Sequence, residues 1–369
     1  MTRTIACLCF IILLFSSLSS NSSALAIPCK PNSNSFFLPP NHSVIPPTAA
    51  DVTLEQWFVH HGILSTDGVK IRTTPRSVGG RGLFYFGNDC IHRGDVLALI
   101  PSRCIFTESN AGEEYRLLRE TLVECGATWP TVLTSYAQRA LLLSENHNEE
   151  TGSVSWSGWI NSWKGGGGPG TPRNPESYSP QELLSLSQLA SSSPQEVHRG
   201  LSARYQLYQQ HLQQIRHVDI ISEGTYISEQ EQVKREEEWG ELYSAVLSRT
   251  ANLGPEWNYE TGIIPFHDML NHPPPPSSNA NVELFTVGDV QSYTGPYEMR
   301  SLVQKAFGEQ VTTSLTLGNK DMLLVAKQKI WPGDELLLDY KEGKTEWNDE
   351  KERVWLLLQY GFPLAAAGA

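Results

Sequence analysis

The chain has 369 residues, 40% of them hydrophobic and 18% charged, the balance of a globular protein that can bury a large core. Its formal net charge is −12 and no stretch is strongly basic, which argues against a nucleic-acid binder, since that would need a basic face to displace phosphate counterions. The length suits one large domain with an elaborate insert, or two ordinary domains.

At the N-terminus, Arg3 precedes an apolar and small-residue run from Ile5 to Leu18, and Ala24-Leu25-Ala26 follows as a small-x-small site. This pattern predicts a secretory signal peptide over residues 1–26, with an uncleaved anchor as the alternative. The run falls short of the roughly 20 apolar residues of a membrane helix, and no later segment is long and apolar enough to span a bilayer. Residues 27–50, with Pro39-Pro40 and Pro46-Pro47, read as a disordered leader or a second targeting segment. Beyond the signal peptide, Cys29, Cys90, Cys104 and Cys125 are scattered, with no pair at zinc spacing.

Leu54, Trp57 and Phe58 are spaced as on a short helix ending near His61. From Val69 the texture is short strands and turns: Val69-Lys70-Ile71-Arg72 alternates, Gly79-Gly80-Arg81-Gly82 turns, and Leu83–Phe86 and Val96–Ile100 read as strands. Residues 108–248 carry helical patterns at Tyr115–Leu122, Val132–Leu143, Gln181–Leu189, Gln195–Gln214 and Glu229–Leu247. Ser179-Pro180-Gln181-Glu182 fits a capping box, after a Gly165–Gly170 loop. Strand texture returns near Gly262–Pro265 and continues through Val282–Val287, Leu315–Leu317, Met322–Ala326 and Glu335–Asp339. A last helix is expected over Lys351–Gln359. The order β, helical insert, β predicts an α+β fold, one sheet-rich domain interrupted in sequence.

Four segments in this order resemble a SET-domain protein methyltransferase. They are Gly80-Arg81-Gly82-Leu83 with Gly94-Asp95-Val96-Leu97, then Asp268-Met269-Leu270-Asn271-His272 with Asn279-Ala280, then Gly333-Asp334-Glu335-Leu336 running to Asp339-Tyr340, and finally Trp347-Asn348 with Tyr360-Gly361-Phe362. Trp159–Trp163 and Tyr178–Leu183 are similar to the helical insert of the Rubisco large-subunit methyltransferase-like subfamily. The resemblance implies a SET β-core over residues 51–340, a C-terminal tail over 341–369, and no helical C-terminal substrate-binding domain. Pro273 stands where serine commonly follows the histidine, and a proline run extends to Pro276.

The same resemblance implies S-adenosylmethionine as cofactor, Tyr340 as catalytic residue, and Gly80, Arg81, Gly82, Arg249, Asn271 and His272 as cofactor contacts. Arg249 would pair with the cofactor's carboxylate. The glycine turn would admit ligand where a Cβ would collide. Asp268 would orient the motif from behind or serve as a turn cap, and Tyr360 and Phe362 would line the substrate channel or pack in the core. The expected reaction is methylation of a lysine on a non-histone protein, a plastid protein being one candidate, by a monomer that enters the secretory pathway and reaches a plastid or the endomembrane lumen. A histidine target and a non-catalytic SET-fold binding module are the alternatives. A more remote one is a metal-dependent hydrolase using His267, Asp268 and His272, but no second His/Asp cluster matches it and no metal is implied.

Overall fold

The computed structural model describes residues 46–73, 81–144, 155–163, 181, 194–223, 228–273, 280–308 and 316–340. The predicted signal peptide, most of the predicted leader, Gly80, the Gly165–Gly170 segment, the expected Ser179 capping box and Gln181–Leu189 helix, and everything after Tyr340, including the expected Lys351–Gln359 helix, Tyr360 and Phe362, lie outside the described residues apart from Gln181.

Helix α1, Ala49–His60, begins within the stretch read as leader. Thr48 explains the early start: its side chain accepts from the Asp51 amide while Asp51 accepts from the Thr48 amide, a reciprocal cap. Leu54 and Phe58 are buried as their spacing predicts. Strand β1 (Leu64–Ser65) follows, then the antiparallel hairpin of β2 (Val69–Thr73) and β3 (Arg81–Tyr85). Next come β4 (Val96–Ile100) and the helical insert: α2 (Arg116–Glu124), α3 (Trp129–Ser144), α4 (Ser157–Asn161), α5 (Pro194–Glu223) and α6 (Glu229–Arg249). Trp159, Trp239, Leu242, Tyr243 and Val246 are almost wholly buried, so the insert shares the main core. A hairpin of β5 (Thr250–Asn252) and β6 (Thr261–Ile263) leads into the asparagine-histidine segment.

The largest sheet is antiparallel in the order β1-β4-β8-β7, with β7 at Val282–Thr286 and β8 at Met322–Ala326. It is covered on both faces. Along β8, Met322, Leu324 and Ala326 enter the main core, while Leu323 and Val325 meet a second apolar cluster. That cluster is built by two helices, α7 (Val287–Thr294) and α8 (Pro296–Phe307), through Val287, Val290, Met299, Val303 and Phe307.

These two helices correct the sequence reading, which carried strand texture across this region. The strand stops at Thr286, whose side chain caps α7 by accepting from the Asp289 amide. Pro296 then starts α8 at its first position, where a missing N–H costs nothing. Leu317 lies in an irregular approach to β8 rather than in a strand, and Glu335–Asp339 forms isolated bridges instead of a continuous strand.

Candidate functional site

The site forms where the segment 333–340 passes between two others. Its start is bonded to β3: Gly333 donates to the Tyr85 carbonyl at 2.6 Å, Tyr85 donates to Asp334 at 3.0 Å, and Leu336 donates to Leu83 at 2.8 Å. Its end runs between the segments at 270–272 and 280–282. Leu338 donates to the Asn271 carbonyl at 2.9 Å, and the amides of Asn281 and Val282 donate to the Leu337 carbonyl at 2.9 and 3.2 Å. Parallel bridges pair Asn271 with Leu337 and Val282 with Leu338. The Asn281 side chain closes the clasp, accepting from Leu337 N–H at 2.7 Å and donating to the Glu335 carbonyl at 2.8 Å.

This threading brings Tyr340 to the asparagine-histidine motif. Its hydroxyl donates to the carbonyl of Leu270. Its amide lies 3.1 Å from Nδ1 of His272, which must therefore accept, leaving the ring proton on Nε2. The two rings are 5.2 Å apart. An oxygen of Asp339 lies 4.0 Å from the same Nδ1.

A strained residue sets the approach. Phe266 has φ 73° and ψ −50°, a conformation costly for a bulky side chain. Its buried ring is held edge-on to Phe58 at 5.5 Å, which ties the turn to α1 and starts the single helical turn His267–Met269.

That turn buries Asp268. Its Oδ2 accepts from Trp159 Nε1 at 3.1 Å and lies 3.3 Å from Arg249 Nη1, which also donates to the Asp268 carbonyl at 3.0 Å. Burial pushes the Asp268 carboxyl up to about 6, against the opposing pull of Arg249 and Trp159. Asp268 is thus a buried ion-pair anchor rather than a turn cap. Arg249 spends part of its guanidinium on that anchor, while its buried Nε has no hydrogen-bond partner. Arg81 is tied in the same manner. Its Nε is 2.9 Å from the wholly buried Asp51, and its Nη1 donates to the Ser162 carbonyl at 3.2 Å. Arg81 therefore faces the site through its main chain, whose carbonyl accepts from Nδ2 of Asn271 at 3.3 Å.

Arg81 and Gly82, expected in a turn, lie in strand β3, and the lack of a side chain at Gly82 has a steric reason there. A Cβ there would stand 2.6 Å from Oε1 of Glu335 and 2.9 Å from Nδ2 of Asn271, so the glycine makes room for these two side chains. Nδ2 of Asn271 donates to that Glu335 oxygen at 2.7 Å. Asn281 and Glu335 are site residues that the motif reading did not select, although Glu335 lay inside a quoted motif. Nδ1 of His267 is buried and unpartnered, and desolvation pulls the imidazole down to about 4. Among the described residues no three His, Cys, Asp or Glu side chains converge as a metal centre.

The strands, the helical insert and the threaded C-terminal segment together define a SET-domain fold. No protein-family model and no curated protein matches the sequence. Among solved structures, the chain is similar to the SET domain of LSMT, solved bound to MeLysine and AdoHcy. The TM-score is 0.50 at 15% sequence identity, and the match covers 86% of this chain and 57% of that one. The chain thus spans a little over half the length of the chain it resembles.

Proposed function

We propose that this protein is an S-adenosylmethionine-dependent protein-lysine N-methyltransferase acting on a non-histone protein. The observation that carries the reading is the convergence of Tyr340, Asn271, His272 and Arg249 around the 268–272 segment of a SET fold. The similar solved structure holds a methylated lysine and AdoHcy, the demethylated cofactor. The predicted signal peptide directs the chain away from the nucleus, which favours a non-histone substrate.

The residues present fit the cofactor. Arg249 Nε is a buried donor without a partner, suited to a carboxylate. Both hydrogens of Asn271 Nδ2 are taken by Arg81 and Glu335, so Oδ1 is the atom it offers, an acceptor suited to an ammonium. S-adenosylmethionine would supply a methyl group made electrophilic by its sulfonium. The protein's task is positioning: it must align a neutral amine with that methyl and exclude water. The hydroxyl of Tyr340 commits its proton to Leu270, so toward an incoming amine its oxygen would act as an acceptor. A lysine entering a low-polarity channel loses its proton more readily, because burial disfavours the ammonium. Held by Arg249 and Asn271, the cofactor would supply its methyl to the lysine nitrogen and retain the carbon–sulfur electron pair, leaving a methylated lysine.

Incubation of the full chain with radiolabelled S-adenosylmethionine and a plant or algal protein extract tests this. Labelled protein with methyl-lysine on hydrolysis is expected, with Tyr340→Phe reduced about a hundredfold while remaining folded. Label on histidine would move the target to the alternative residue, and a folded protein that transfers no label would sink the enzymatic reading.

A further inference from the structure

Glu335 contributes a largely buried carboxyl at the centre of the site. Its carbonyl is held by Asn281 and the next residue's amide by Leu83, so the backbone carrying it is fixed on two sides. Its side chain occupies the space that Gly82 leaves open, and Oε1 meets Nδ2 of Asn271 at 2.7 Å. This contact decides how Asn271 faces. A carboxylate accepts hydrogen bonds and donates none, so the amide atom beside it must be nitrogen. The Arg81 carbonyl, 3.3 Å from the same nitrogen, demands the same assignment.

We infer that Glu335 is a positioning residue for a cationic ligand group: it turns the Asn271 amide so that Oδ1 is presented, and in its ionised form sets a negative charge one hydrogen bond behind it. The inference rests on the methyltransferase reading, in which that group is the α-ammonium of S-adenosylmethionine.

The charged groups on the elements packed against Glu335 are engaged elsewhere. On β3, Arg81 pairs with Asp51. On the 268–272 segment, Asp268 pairs with Arg249, and His272 accepts from the Tyr340 amide. On β7, Glu283 is influenced by Lys327, Arg93 and Asp339. On its own segment, Asp334 accepts from the Trp331 amide. Burial therefore governs Glu335 and pushes it up to about 7, with the Asn271 hydrogen bond opposing. In the free protein near neutral pH a proton and a cationic ligand compete for this carboxylate. Affinity is full above about pH 7 and falls below it, by up to about tenfold per pH unit.

Calorimetric titration of the full chain with S-adenosylmethionine, from about pH 5.5 to about pH 8, reads this directly. Glu335→Gln keeps an acceptor for Asn271 and deletes the charge. It should bind at the highest pH as weakly as wild type does at the lowest. The ratio of the two affinities, which cancels any titration of the ligand, should rise with pH. Glu335→Ala removes the acceptor as well and should bind more weakly than Glu335→Gln throughout. Infrared titration of the ligand-free protein should show a carboxyl near 7 that vanishes in Glu335→Gln. A pH-independent ratio, or Glu335→Ala binding as wild type does, overturns the inference while leaving the methyltransferase reading standing. Absence of binding by folded wild type at every pH overturns that reading, and the inference with it.

Discussion

The two sides of the site are held by different physics. On one side lie buried ion pairs, Arg249 with Asp268 and Arg81 with Asp51, where each charge is tolerable only because its partner is there. On the other, segment 333–340 is bound to β3, to Asn271 and to residues 281–282 by a ladder of main-chain hydrogen bonds, to which the side chains of Asn281 and Asn271 add. The charged side depends on the identity and ionisation of single side chains. The threaded side is indifferent to most of its side chains and depends on the few that act as backbone, chiefly Asn281.

Removing a charge should break the first side most. Arg249→Met leaves Asp268 buried without its cation, and denaturant unfolding should show a loss of about 3 kcal/mol. A stability near wild type would mean that the pair is not what holds this side. The next effect is on the threaded side. Asn281→Ala strips partners from both the Leu337 amide and the Glu335 carbonyl, a loss of about 2 kcal/mol. Cofactor binding should weaken with it, because Glu335 and Tyr340 are carried by the same segment; unchanged stability would refute the clasp.

A titration sharpens the contrast through pH. Burial raises Asp268 in the fold from an ordinary 3.8 to about 6, so the unfolded chain ionises first as pH rises. The stability of wild type relative to Asp268→Asn is therefore fully present below about pH 4 and declines through pH 6. Asn281→Ala, compared with wild type in the same way, should show no such dependence between those limits. Parallel curves for wild type and Asp268→Asn would remove Asp268 as the titrating group.

The cover over the main sheet shows where sequence reasoning fell short. Val96-Leu97-Ala98-Leu99-Ile100 and Met322-Leu323-Leu324-Val325-Ala326 are unbroken apolar runs rather than alternating ones, the pattern of strands buried on both faces. That pattern calls for a second layer, and the cap at Thr286 and the Gly295-Pro296 start mark where it begins. The helices α7 and α8 are short and lie between two strands, so strand texture on either side hid them. Within the site, Asn271, His272 and Tyr340 were legible because they fall in short local motifs. Asn281 was not, since a side chain that bonds only to the backbone of a segment more than fifty residues away leaves no periodic trace.

By itself the sequence determined what is local: the longer helices of the insert among the described residues, most of the strand texture around them, and the order of motifs that marks a SET-like β-core. Tertiary structure alone decided which groups meet. It set Glu335 against Gly82 and Asn271, spent Arg81 on Asp51 rather than on the site, and gave Arg249 to Asp268 while leaving one of its nitrogens unpaired. The physical reason is that propensity and periodicity act over a few residues, whereas hydrogen bonds and buried charges are satisfied by whichever groups the closed chain brings within reach.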